Sequence, residues 1–167
     1  GRQSGLSAPW GWVLVLAVFG ACVAFRALPT PDLRPLVVSV QAALSVGVLL
    51  FVLFTSNPFA RVFPPLVDGE ALNPLLQDLG LAMHPPLLYF GYVGFSIVFS
   101  FACAALMLGR MDGHWAKAVH PWIMLSWAFL TLGIGLGSWW AYRVLGWGGF
   151  WFWDPVENAS LLPWLSG

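Results

Sequence analysis

The run PLLYFGYVGFSIVFSFACAALML, residues 86–108, holds no charged side chain, with Pro85 before it and Gly109 after it. A bilayer's hydrocarbon core is about 30 Å thick and needs roughly 20 apolar residues of helix, so this run reads as a membrane span. Working outward, residues 10–28, 36–56 and 121–142 meet the same length, and a further span begins from about residue 155 with Leu161, Leu162, Trp164 and Leu165. Turn chemistry marks the edges. Pro29 and Pro31 follow the first span, Pro35 opens the second, Asn57-Pro58 ends it, Pro85-Pro86 opens the third, Gly109 closes it and Pro121 opens the fourth. With 8% charged and 59% hydrophobic residues and a mean hydropathy of +0.80, the chain is excluded from the ordinary soluble domains. The expected fold is all-α, a polytopic transmembrane helical bundle, because helices satisfy their own backbone groups in lipid.

The few charges are informative by position. The connection after the first span (Arg26, Asp32, Arg34) and the one after the third (Arg110, Asp112, Lys117) each carry one excess positive charge. The connection between them, with Arg61, Asp68, Glu70 and Asp78, is net acidic. The positive-inside rule then places the first and third connections in the cytoplasm and puts the acidic loop on the outer face, together with the Trp-rich segment that follows span four. Net charge is zero, which leaves no basic face for nucleic acid. Cys22 and Cys103 stand alone in apolar runs and read as packing residues. Gly91 and Gly94 in span three, and Gly133, Gly135 and Gly137 in span four, offer surfaces for close helix contact.

The stretch WGGFWFWDPVENASLLPW, Trp147 to Trp164, is the second decisive feature. Gly148 and Gly149 let the backbone approach a ligand closely and adopt positive φ. Asp154 fits an N-cap, Pro155 the first helical position and Glu157 the third, a capping-box variant that would fix Trp147, Trp151 and Trp153 in front of the helix. Trp139 and Trp140 read either as interfacial anchors or as part of the same aromatic shelf. Such a shelf suits a large planar ligand with an apolar body and a charged edge, a description haem meets. His84 precedes Pro85, which pushes it out of helical geometry to a place just ahead of span three, on the shelf's side of the membrane. A neutral imidazole there is a candidate axial ligand for haem iron. Arg143 is poised either for a haem propionate or for the interface. His114 and His120 fall at the opposite end and read as solvated.

These residues resemble the tryptophan-rich "WWD" signature of the haem-handling membrane proteins of cytochrome c maturation, here spanning residues 139–164. The continuation DPVENAS is similar to the CcmF branch, the haem lyase subunit type of the bacterial System I pathway. FTSNPF (Phe54 to Phe59), LNPLLQD (Leu72 to Asp78), HPPLLYFGYVGFS (His84 to Ser96) and FLTLGIGLGSWWAY (Phe129 to Tyr142) extend the likeness over about residues 36–167. The N-terminal GRQSGLSAPWGW departs from the family, which carries a His-Glu-Gly-Ser-like sequence there.

The resemblance implies a multi-pass protein of the bacterial inner membrane with a periplasmic WWD loop. Haem b would be held as substrate by Trp139, Trp140, Trp147, Gly148, Gly149, Trp151, Trp153 and Asp154, with His84 as one axial ligand. The implied activity is attachment of haem vinyl groups to apocytochrome CxxCH thiols. Implied partners are membrane lipid, a periplasmic haem chaperone, apocytochrome c and other maturation subunits. A second periplasmic histidine and the transmembrane histidines of a separate haem are expected beyond Gly167, which makes the chain a piece of a longer protein. Two alternatives stand beside this reading: a haem transporter or delivery protein of the same WWD type, and a b-type electron-transfer subunit.

Overall fold

The computed structural model describes residues 32–55, 74, 77–146 and 148–167. The expected span at 10–28, Cys22, most of the acidic connection and Trp147 lie outside the described residues. Within them the chain is all-helical: α1 (Arg34–Thr55), α2 (Leu79–Leu108), α3 (Gly113–Val144) and α4 (Pro155–Ser166). Helices α1, α2 and α3 are each long and apolar enough to cross a membrane.

Two helices start earlier than their prolines suggest. Helix α2 begins at Leu79 and carries Pro85 and Pro86 inside it, and α3 begins at Gly113 and carries Pro121 inside it. His84 is therefore a helical residue in the second turn of α2, not an extended residue ahead of it. The cause is capping. Asp78 accepts a hydrogen bond from Gly80 N at 2.7 Å, and Asp112 accepts one from Trp115 N at 2.9 Å, so each carboxylate nucleates a helix upstream of the proline. The bias of a pre-proline residue against helical geometry is local, and a capped helix packed on its neighbour overrides it. At the far end of α2, Gly109 adopts φ 64°. Its N–H reaches Leu106 O, and Arg110 N reaches Ala105 O at 3.0 Å, a Schellman ending.

Helices α2 and α3 form the antiparallel spine. Lipid removes the hydrophobic drive between helices, so close backbone approach through small residues takes over. A Cβ added at Gly91 would stand 2.7 Å from Leu130 Cβ, one at Gly133 would stand 2.7 Å from Leu88 N, and one at Gly94 would overlap Ser126. Gly137 faces the ring of His84, whereas Gly135 meets nothing within 4 Å. Four of the five glycines singled out by sequence are thus at the helix contact.

Helix α1 packs on α2 by two means. Leu33 and Val37 join Ile97, Phe101, Ala104 and Val119 in a buried cluster near the Arg110 end. Deeper in the span, the buried Gln41 donates through Nε2 to Ser96 Oγ at 2.9 Å and accepts through Oε1 from Ser100 Oγ at 2.9 Å. Sequence reading passed over this clamp, although Ser96 and Ser100 sit four residues apart on one helix face.

Helix α4 returns along the spine, about 18 Å long at 1.5 Å per residue. Tyr92 donates its hydroxyl to Ala159 O. Trp127 and Trp164 stack with centroids 5.8 Å apart, Trp127 Nε1 donates to Trp164 O at 3.1 Å, and Trp164 Nε1 donates to Thr131 Oγ1 at 2.8 Å. The helix therefore runs parallel to α2 and antiparallel to α3, with its N-terminus at the His84 end.

Candidate functional site

The loop between α3 and α4 is built by local rules. Leu145 N closes α3 on Ala141 O at 3.2 Å, and Gly146 and Gly148 take φ of 72° and 79°. Asp154 caps α4, its Oδ1 accepting from Glu157 N at 2.7 Å. Glu157 reaches back, its Oε2 accepting from Phe152 N at 2.7 Å, two residues farther than in an ordinary capping box. Asn158 Nδ2 donates to Trp153 O at 3.1 Å, and Trp153 is held at φ 60°, the one non-glycine positive φ among the described residues. Trp151 and Trp153 meet edge to face, with centroids 6.1 Å apart and planes at 80°.

Behind this loop lies a cavity of about 440 Å³, walled by His84 and Leu88 of α2, by Gly137, Ser138, Trp140 and Ala141 of α3, and by Trp151, Asp154, Glu157 and Ser160. A second cavity of about 700 Å³ adjoins it between α1, α2 and α4, lined by Leu44, Val48, Tyr89, Tyr92 and other mainly apolar groups. His84, Leu88, Val156 and Ser160 line both, so the imidazole stands at the junction. Volumes of this order suit a ligand of cofactor size.

His84 is fixed by α3 on two counts. Its Nδ1 lies 3.3 Å from Gly133 O, and a carbonyl can only accept, so Nδ1 carries the proton. That tautomer leaves the Nε2 lone pair free for a metal. A Cβ at residue 137 would stand 2.7 Å from Nδ1 and 3.0 Å from Cε1, so glycine is what admits the ring. Among the described residues no three His, Cys, Asp or Glu side chains gather as a metal site. One histidine nevertheless suffices for an axial ligand when a macrocycle supplies the equatorial four.

Four of the residues singled out by sequence thus share one wall: His84, Trp140, Trp151 and Asp154. Trp139, Gly148, Gly149 and Trp153 are not in that lining. Trp139 is half exposed, its ring beside Gly80 of α2 and 4.1 Å under the Arg143 guanidinium. Arg143 also pairs with Asp78, so it latches the end of α3 to the cap of α2. Trp153 is 70% exposed. His120 is exposed at the far end of α3, seventeen residues from Gly137, or about 25 Å along the helix axis. Sequence reading missed Gly133 and Gly137 as the residues that orient His84, having placed them only as packing surface.

Two polar atoms of residues lining this wall have no partner among the described residues. The indole N–H groups of Trp140 and Trp151 are buried and unpaired, a state that costs roughly 1–3 kcal/mol for each donor.

Comparison with known proteins adds a family. The model described as "Cytochrome C assembly protein" matches residues 3–167. The chain is 60% identical over 157 residues to the cytochrome c-type biogenesis protein CycK of Bradyrhizobium diazoefficiens, covering 93% of this chain and 24% of that protein. It is 56% identical over 172 residues to the cytochrome c-type biogenesis protein CcmF of Haemophilus influenzae, covering 97% and 26%. CcmF of Escherichia coli is 53% identical over 172 residues, covering 97% and 27%. The chain therefore spans about a quarter of the length of these relatives. No solved structure matches it.

Proposed function

Because the chain belongs to the cytochrome c assembly protein family, we propose that it is a haem-binding membrane component of cytochrome c biogenesis, holding haem b at the periplasmic face for attachment to apocytochrome thiols. The observation that carries this reading is His84: helical, committed through Nδ1 to Gly133 O, and set at the junction of two cavities with Nε2 left for iron. The donor set fits haem. A neutral imidazole would supply a nitrogen to the iron, and the mainly apolar walls of the two cavities would accept the macrocycle.

Held there by His84, haem would supply vinyl groups to which a cysteine S–H could add across C=C, giving the thioether. The chain's own contribution is to orient: Gly133 and Gly137 set the ring of His84, and the Asp154 cap with the Glu157 back-bond fixes the loop that brings Trp151 to the cavity Trp140 also lines. Asp154 and Glu157 are engaged in starting α4, so neither is given a proton-transfer role in this reading. The partners of this reading are lipid, a periplasmic haem chaperone, apocytochrome c and further maturation subunits. The orientation rests on the loop charges, and cysteine labelling tests it. A cysteine at position 151 or 84 is expected to react with an impermeant reagent from the periplasmic side, and labelling from the cytoplasm would reverse the assignment.

Purification of the full chain with its haem source tests the ligand. His84→Ala is expected to lose the Soret absorbance of the wild type, and an unchanged spectrum and haem content would remove His84 from the site.

A further inference from the structure

Arg143 lines neither cavity, yet it is held on two sides. Its guanidinium donates to Asp78 Oδ2 and lies 4.1 Å from the centroid of the Trp139 ring, a charge-assisted bond and a cation–π contact on one side chain. Asp78 is shared in turn, since its Oδ1 accepts from Gly80 N and starts α2. Gly80 is buried and closes the arrangement: a Cβ there would stand 3.3 Å from Trp140 Cβ and 3.4 Å from Trp139 Cζ3. The first turn of α2 is thus seated on the last turns of α3 by a charge pair, an aromatic ring and a missing Cβ.

His84 is four residues beyond Gly80 and so lies on the same face of α2, one turn farther along the same contact. There Gly137 admits its ring, and Gly133 O receives its Nδ1–H at 3.3 Å. That bond is at the long end of the hydrogen-bonding range, so a slide of α2 along α3 by a few tenths of an ångström would lose it. We infer that Arg143 and Asp78 are positioning residues for His84, fixing where the start of α2 stands on α3 and thereby the orientation and Nδ1 bond of the iron-binding imidazole. This rests on the haem reading above and gives that site a support outside both cavities. A ligating imidazole that keeps its Nδ1 bond is the more basic donor, and a more basic axial ligand favours ferric over ferrous iron. The clamp therefore bears on both affinity and reduction potential.

The full chain in detergent is titrated with protohaem, and the reduction potential of the bound haem is measured, in the wild type, Arg143→Ala, Arg143→Lys, Asp78→Asn and the Arg143→Ala, Asp78→Asn double variant. Asparagine keeps an acceptor for Gly80 N and deletes only the charge, so α2 keeps its cap. Arg143→Ala and Asp78→Asn are each expected to weaken protohaem binding about three- to fivefold, the measure of a partly exposed ion pair, and to raise the potential. The double variant is expected to lose no more than the worse single one, because both substitutions remove the same interaction. Lysine, which keeps the charge, is expected to recover part of the loss. Unchanged affinity and potential in both single variants overturn the clamp while leaving the haem reading in place. So does a loss in Arg143→Ala that Asp78→Asn neither reproduces nor masks, which would put the guanidinium on the haem itself. A wild type that takes up no protohaem overturns the haem reading and the clamp with it.

Discussion

The chain contains the dipeptide His-Pro twice, and the two copies end in opposite circumstances. His84-Pro85 and His120-Pro121 both lie inside long helices whose starts are set by an upstream aspartate. His84 is tucked against α3, bonded to Gly133 O and seated over Gly137, whereas His120 is exposed at the far end of the bundle. The dipeptide therefore does not decide the role of its histidine. The facing helix does, by presenting a bare backbone carbonyl and a residue without a Cβ.

The largest expected effect separates the two histidines. His84→Ala is expected to abolish most haem uptake by the full chain and His120→Ala to leave it unchanged, read from the Soret band; equal loss in both would erase the distinction. Gly137→Ala should reproduce much of the His84 loss by displacing the ring, whereas Gly135→Ala, two residues away in open space, should not.

The helix contact itself comes next. Gly94→Val, which forces side-chain atoms into Ser126, is expected to destabilise the α2–α3 pair by about 1–3 kcal/mol, measured by thermal unfolding in detergent. A neutral result would show that these helices stand farther apart than described. Loss of the α4 cap in Asp154→Ala is expected to be smaller, about 1 kcal/mol, seen as faster amide exchange in the first turn of α4.

The smallest effect concerns Asp112, whose carboxyl is held below its ordinary value chiefly by the Trp115 N–H. A depressed carboxylate lends stability above its unfolded pKa, near 3.9, and withdraws it as pH falls through the folded value. The first turn of α3 should therefore fray on acidification below about pH 4, and Asp112→Ala should remove that pH dependence.

Much of the fold was legible because apolar length and charge scarcity are strong signals: the helical bundle, the Gly109 ending and the Asp154 cap were all readable from local residues. The start of α2 was misjudged because Pro85-Pro86 outweighed a quieter signal, Asp78 ahead of an apolar run. Asp112 carried the same quiet signal for α3. Within the candidate site, His84, Trp140, Trp151 and Asp154 converge, but their convergence depends on helix pairing that no local pattern encodes. That Trp140 lines the cavity while its neighbour Trp139 lies under Arg143 follows from their 100° separation around α3. The Gln41 clamp went unread because isolated polar residues in a span carry no label of partner.

Pro85 and Pro86 have a mechanical consequence. Lacking N–H groups, they cannot bond to the carbonyls of Leu81 and Ala82, so two rungs of α2 are missing just above its first turns. The segment 79–84 is instead fastened sideways to α3, through the Asp78–Arg143 pair and the His84–Gly133 bond. Covalently this segment continues into α2, yet its amide exchange is expected to follow the stability of the α2–α3 contact more than that of the α2 ladder. The imidazole is thus held in place by the helix that faces it as well as by the one that carries it.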